Sequence, residues 1–267
     1  MSKEEGEVEQ KMEEELSLLV VFAHPDDESY GPGGTIARYA SEGVKVTLIC
    51  ATRGEVSIRL NRIEGGPKRL AELREGELRQ ASQILGIKDL RILGYGDGKL
   101  SQVDPYEAEG RIVKIIREVR PQVVLTFGPD GISGHPDHIA ISQLTTAAFK
   151  SAGDKKKYPE HFQEELAPYE PQKLYYTALP RFIAETMKRE DLPLFGYEDD
   201  QIATIIDITP YLETKMKAIY CHRGQGDYER FVERQNRGLL HKEYFHLAIS
   251  RLGEPGEKEE DLFQGLR

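Results

Sequence analysis

The first apolar block of the chain is LLVVFA at residues 18–23, six successive positions without a polar side chain. A run this short and continuous predicts a strand buried on both faces of a parallel sheet. The polar stretch HPDDESYGPGG after it predicts a loop, and residues 35–42 predict a short helix stopping at Gly43. VKVTLICA over 44–51 predicts a second strand. TRGEVSIRLNRIEGGP then reads as an irregular excursion, and residues 68–85 predict a helix ended by Gly86. LRIL over 90–93 predicts a short strand. Ile112, Ile115, Ile116 and Val119 recur at helical spacing over residues 111–120, Pro121 follows, and VVLTF over 123–127 predicts the next strand.

Strand, loop, helix and strand repeated in this way predict an α/β fold: a doubly wound, mostly parallel, Rossmann-like sheet with helices on both faces and right-handed crossovers. Beyond residue 150 the pattern weakens. Residues 151–198, rich in Pro, Lys and Tyr, predict a lid or capping segment with one strand at 173–178 (KLYYTA). IATIIDI at 202–208 predicts a further strand and YLETKMKAIYCH at 211–222 a helix. Residues 1–15, MSKEEGEVEQKMEEE, predict a charged arm outside the core, and residues 251–267 a flexible tail, which leaves 16–250 as a single domain.

Composition narrows the partners. At 267 residues and 39% hydrophobic the chain can build one large core. A formal charge of −10 and a pI near 5.3 argue against a nucleic-acid groove or an anionic membrane face, and favour a neutral small molecule. The two cysteines, Cys50 and Cys221, have no CxxC spacing and read as buried reduced thiols. The amino-terminal residues lack an apolar leader core, and no stretch approaches the ~18 apolar residues of a membrane span. The expectation is a soluble, cytoplasmic protein. A homo-oligomer is left open.

Three of the seven histidines fall in two short motifs, His24-Pro25-Asp26-Asp27 and His135-Pro136-Asp137-His138. Each lies directly after a predicted strand, and in a doubly wound sheet loops at the carboxyl ends of neighbouring strands converge. Two imidazoles and one carboxylate around an open position form the ligand set of a catalytic zinc site. A bend begun at Pro25 can aim His24 and Asp27 at one point, with His138 closing from the neighbouring loop. Asp26, His135 and Asp137 are then left as acid and base groups beside the metal. The structural alternative is a pair of polar turns and helix caps.

With these residues in view the chain resembles the zinc-dependent N-deacetylases of the LmbE-like, or PIG-L, family. The resemblance spans AHPDDESYGPGGT (23–35), TRGE (52–55), ELREGELRQASQILGI (72–87), LGYGDGKL (93–100), GPDGISGHPDH (128–138) and KMKAIYCHRGQ (215–225). It implies one zinc per chain held by His24, Asp27 and His138, and an N-acetyl amino sugar or conjugate as substrate. It further implies Asp26 as general base, His135 as oxyanion stabiliser or proton donor to the amine, Asp137 orienting His135, and Arg74 contacting substrate hydroxyls at the pocket rim. Two departures stand out: Ser133 occupies a position where some thiol-pathway members carry tyrosine, and Gly224-Gln225 replaces the commoner Ser-Gln.

Other candidates come from the residues themselves. Glu55 and Asp97, on loops after predicted strands, and Arg53 are suited to binding sugar hydroxyls, or are solvated loop charges. His222 either caps a helix C-terminus or meets substrate. His161, His241 and His246 read as surface or core residues. A nucleotide-binding oxidoreductase is disfavoured, because GPGGT (31–35) lacks the G-x-G-x-x-G spacing and carboxylates precede it. A metallophosphoesterase calls for two metals and more bridging carboxylates. A non-catalytic sugar-binding or metal-storage protein has no need of Asp26 and His135 beside a filled site.

Overall fold

The structure, a computed structural model, describes residues 15–57, 63–187, 193–253 and 256–267. β1 (Ser17–Phe22) is buried at every position, because it lies inside the sheet between two parallel neighbours. These are β2 (Lys45–Thr52), with Val20 opposite Leu48, and β4 (Val123–Phe127), with Val20 opposite Leu125. Beyond them lie β3 (Asp89–Tyr95) and β5 (Lys173–Ala178), again parallel. β7 (Lys242–Ser250) pairs antiparallel with β5, and β6 (Thr204–Asp207) antiparallel with β7, so the order is β3-β2-β1-β4-β5-β7-β6. The mostly parallel, doubly wound sheet is as the pattern predicted.

α1 (Asp27–Tyr30) is one turn inside the expected loop, and α2 (Gly33–Ser41) leads to β2. α3 (Gly66–Leu85) ends at Gly86, whose φ of 78° is a left-handed cap that glycine adopts without strain. α4 (Pro105–Val119) begins earlier than its apolar periodicity suggests. Asp104 caps it, accepting from the Tyr106 and Glu107 amides, and Pro105 fills a position that needs no N–H. α5 (Pro136–Ser151) was not anticipated from the sequence. Its buried positions include Ser142 and Thr145 as well as Ala140, Ile141, Leu144, Ala148 and Phe149, so no clean polar face marks it. α6 (Arg181–Met187), α7 (Leu212–Cys221) and α8 (Tyr228–Asn236) complete the helices used below.

α3 packs on α2 and α7, whereas α4 packs on α5. From β1 the chain winds outward through β2 and β3, then returns to place β4 on the other side of β1. With right-handed crossovers this reversal puts the two helix groups on opposite faces, and it opens a crevice at the carboxyl ends of β1 and β4. Both His-Pro-Asp motifs follow those two ends.

Within the stretch 151–198 the expected strand at 173–178 is β5, which sits inside the sheet; α6 and residues 193–197 lie beyond its carboxyl end, and 188–192 fall outside the described residues. β7 was missed because its buried positions combine Phe245 with a glutamate, Glu243, which breaks the apolar alternation. The tail is docked, not flexible. Leu262 and Phe263 are fully buried, Phe263 meets the Tyr39 ring edge-on at 5.1 Å, and Glu259 accepts from Lys173 Nζ at 2.8 Å and Tyr175 Oη at 2.5 Å. A lysine as buried as Lys173 requires a carboxylate partner, and only the tail supplies it among the described residues. The arm at 1–14, residues 58–62 of the excursion and residues 254–255 lie outside the described residues.

Candidate active site

Past β1 the backbone turns sharply: Asp26 has φ 121° and ψ −28°, a conformation that costs a non-glycine residue roughly 1–3 kcal/mol. Its neighbours hold it there. The Asp26 amide donates to Glu28 Oε2 at 3.0 Å, its carbonyl accepts from the Ser29 and Tyr30 amides, and Arg74 Nη2 donates to the Pro25 carbonyl at 2.5 Å. Glu28 is buried and fixed in turn by His222 Nε2 at 2.9 Å and Ser29 Oγ at 2.6 Å.

This turn and the α5 start bring three ligand-type groups together. His24 Nδ1 lies 3.1 Å from His138 Nε2, while Asp27 places Oδ2 3.7 Å from His24 Nδ1 and Oδ1 3.5 Å from His138 Nε2. Bonds of about 2.0–2.1 Å to a tetrahedral zinc put donor atoms about 3.3 Å apart. The tautomers agree with a cation there. His138 Nδ1 faces the Gly131 carbonyl at 3.1 Å and must carry a proton, so its Nε2 presents a lone pair. His24 Nε2 faces the carboxylates of Asp137 at 3.2 Å and Asp97 at 3.1 Å and carries a proton, which leaves Nδ1 pointing inward. Without a metal, a proton on His24 Nδ1 bridges the 3.1 Å to the His138 lone pair, and a bound cation would take that proton's place. His135 is close as well, its nitrogen lying with those of His24 and His138 inside a 4.8 Å group. Its Nδ1 accepts from the Asp137 amide at 3.2 Å, so Nε2 carries the proton.

Burial works against charge on His24, yet the Asp137 and Asp97 carboxylates outweigh it and hold the imidazole up to about 10. Asp97 is correspondingly held down to about 2, against the effect of its own burial. Burial lowers His138 to about 4, and the same effect lowers His135. Asp26 moves the other way, to about 6, because burial outweighs the neighbouring Arg74 guanidinium. A carboxylate raised towards neutrality beside lone-pair donors is the profile of a general base.

Residues 19–149 match the PIG-L family, described as GlcNAc-PI de-N-acetylase. A Catenulispora acidiphila protein named 1D-myo-inositol 2-acetamido-2-deoxy-alpha-D-glucopyranoside deacetylase 2 is 36% identical, across 95% of this chain and 98% of its own length. The chain belongs to the PIG-L family. Among solved structures, N,N'-diacetylchitobiose deacetylase from Pyrococcus horikoshii matches with a TM-score of 0.68 at 24% identity, covering 86% of this chain and 83% of that one. GalB, a 4-carboxy-2-hydroxymuconate hydratase from Pseudomonas putida KT2440, also has a TM-score of 0.68, at 22% identity over 90% of this chain and 99% of its own. These two likenesses show the fold alone, and the second shows that the fold hosts more than one chemistry.

Within this PIG-L domain several predicted roles move. Asp137 does not orient His135 with its carboxylate, which instead takes His24 Nε2 and the Gly98 and Leu100 amides, at 2.7 and 3.0 Å; only its backbone N–H meets His135. Asp97 is 9% exposed and backs His24, so it is not placed as a hydroxyl ligand. Arg74 is not at the rim. It is 3% exposed and grips the Asp26 carboxylate at 2.9 Å together with the Pro25 and Gly54 carbonyls. Arg53 pairs with Glu75 on α3 at 2.6 Å, and Glu55 accepts from the Asp97 amide at 3.0 Å. His222 binds Glu28 behind the turn and meets neither a rim nor a helix-terminal carbonyl by its side chain. Glu28 and Gln225 were missed. With its amide oriented to satisfy its neighbours, Gln225 accepts from Arg74 Nη2 at 2.7 Å and donates to Ser57 Oγ at 3.1 Å. Their signal was present in HPDDE and CHRGQ, but only the folded chain shows that these motifs meet at Asp26.

Proposed function

We propose that this chain is a zinc-dependent hydrolase that removes the acetyl group from the nitrogen of an N-acetylglucosaminyl-type sugar or conjugate, releasing acetate and a free amine. The observation that carries it is the pair of imidazole nitrogens of His24 and His138, 3.1 Å apart beside Asp27, with Asp26 next to them. The relatives named as deacetylases of an acetamido-deoxyglucopyranoside support the substrate class.

His24, Asp27 and His138 would hold the metal, one per chain, with Asp97 and Asp137 fixing His24 from behind. Bound there, zinc supplies Lewis acidity towards water and towards the acyl carbonyl. Asp26, with a raised affinity for protons, takes the proton of the attacking water. Arg74 keeps that carboxylate aimed inward and ionised. His135, protonated at Nε2, faces the site as a hydrogen-bond donor to the developing oxyanion. The amine leaves with a proton returned by Asp26 or His135. Glu55 remains a candidate for substrate hydroxyls, while the ion pair to Glu75 turns Arg53 towards α3.

Metal analysis joined to acetate release from N-acetyl glucosaminides tests this reading. About one zinc per chain, with activity lost in chelator and restored by zinc, is expected. A protein that binds no divalent metal and still cleaves the amide would refute it.

A further inference from the structure

A cavity of about 290 Å³ opens directly beside the proposed metal ligands. Asp27 and His138 form part of its wall, whereas Asp26 and His135 do not. The remainder is largely carbon, with Phe127, Ile132, Leu179, Ile183 and Phe245 among the lining, and its few hydroxyls come from Tyr30, Ser133, Thr177 and Tyr244. Of the charged side chains on the wall, Lys215 and Glu243 neutralise each other at 2.5 Å, and Arg234 and Lys242 also reach it.

That placement determines which part of a substrate the cavity meets. In amide hydrolysis water oxygen bonds to the acyl carbon, the carbon–nitrogen bond breaks, the nitrogen takes a proton, and a carboxylate and an amine separate. The nitrogen must face the groups that handle protons, Asp26 and His135. The acyl substituent, on the opposite side of the same carbon, then points towards the wall formed by Asp27 and His138. Sugar hydroxyls have few partners among the aliphatic side chains there and would lose their hydration. The methyl of an acetyl group fills only a small part of the space, since an apolar cavity of roughly 150 Å³ already accommodates benzene.

From this we infer that the cavity is an acyl-binding pocket, and that the enzyme accepts, and prefers, N-acyl amino sugars whose acyl chain is longer than acetyl, about six to eight carbons. The inference rests on the deacetylase reading above for the orientation of the amide. Each added methylene that enters the pocket should raise kcat/KM about fourfold until the cavity is full.

The test uses the full chain loaded with zinc and a series of methyl glucosaminides carrying N-acetyl, N-butanoyl, N-hexanoyl and N-octanoyl groups, with amine release as the readout. A rise of at least tenfold in kcat/KM from acetyl to hexanoyl is expected. In parallel, hexanoate should raise the melting temperature of the metal-free protein at concentrations where acetate does not, a measurement independent of turnover. Ile183→Trp, which fills the pocket, should cut the hexanoyl-to-acetyl ratio and abolish the hexanoate shift. Should that variant not fold, the two wild-type measurements still decide. Acetyl cleaved as well as or better than the longer chains, with no hexanoate shift, overturns the pocket and leaves the deacetylase reading intact. No turnover of any member sinks the deacetylase reading, and the hexanoate shift then supports or overturns the pocket by itself.

Discussion

Asp26 and Asp27 are chemically identical neighbours that the backbone sends in different directions. The left-handed turn at Asp26 gives its carboxylate to Arg74, and Asp27 faces the two imidazoles. Asp26→Asn should therefore keep the metal and lower kcat by ~10²–10⁴, the worth of a positioned base. Asp27→Ala should release metal and recover part of its activity in excess zinc. Metal stoichiometry and acetate release on both variants check the pair, and a reversed outcome exchanges the roles. The base form of Asp26 is the active one, so kcat/KM should fall as pH drops through a limb at or below about 6, a bound cation drawing it lower. Arg74 favours the ionised carboxylate, and Arg74→Gln should move that limb to higher pH while metal content holds; an unmoved limb would separate Arg74 from Asp26. The meeting of His24, Asp27 and His138, the proposed ligands, was legible in the sequence because two His-Pro-Asp motifs each follow an apolar strand. The roles of Arg74, Asp97 and Asp137 were not, because a charged residue written in a loop gives no sign of whether it turns out to substrate or back to brace a neighbour.

Loops at the carboxyl ends of four parallel strands each contribute one component of the site. Those after β1 and β4 carry the proposed ligands, the one after β3 sets Asp97 behind His24, and the one after β2 gives Gly54, whose carbonyl accepts from Arg74 at 3.0 Å. Asp97→Asn or Asp137→Asn should weaken zinc binding by ~10–100-fold through loss of His24 orientation, measured by competition with a chelator. Unchanged affinity in both would remove them from the metal's support. Gly54 has φ 68°, and a Cβ there would collide with the Arg74 guanidinium. Gly54→Ala should thus reproduce the Arg74→Gln phenotype without touching a charge. Strands buried on both faces, such as β1 and β4, announce themselves as unbroken apolar runs. β7 and α5 did not, since Glu243 in the one and Ser142 in the other are buried against partners outside their own elements, Lys215 for Glu243 and the Phe127 carbonyl for Ser142.

On the scale of the whole molecule, the seven-stranded sheet is closed by the docked segment at its carboxy-terminal end, with an isolated bridge between Thr204 and Glu259. Deleting residues 257–267 would leave Lys173 buried without its carboxylate and uncover Leu262 and Phe263. The loss should reach about 3–5 kcal/mol from the broken buried pair alone, read as a lower urea midpoint. An unchanged midpoint would return those residues to the role of a loose tail. The docked segment also has a consequence for the order in which the protein is made. On a translating ribosome β1 to β4 can pair as soon as they emerge, but Lys173 and Tyr175 have no carboxylate, and Tyr39 no Phe263, until residues 259–263 have been polymerised. From the synthesis of Lys173 until Glu259 is available the growing sheet therefore carries a lysine without its carboxylate, and compaction around Lys173 and Tyr39 waits for that segment.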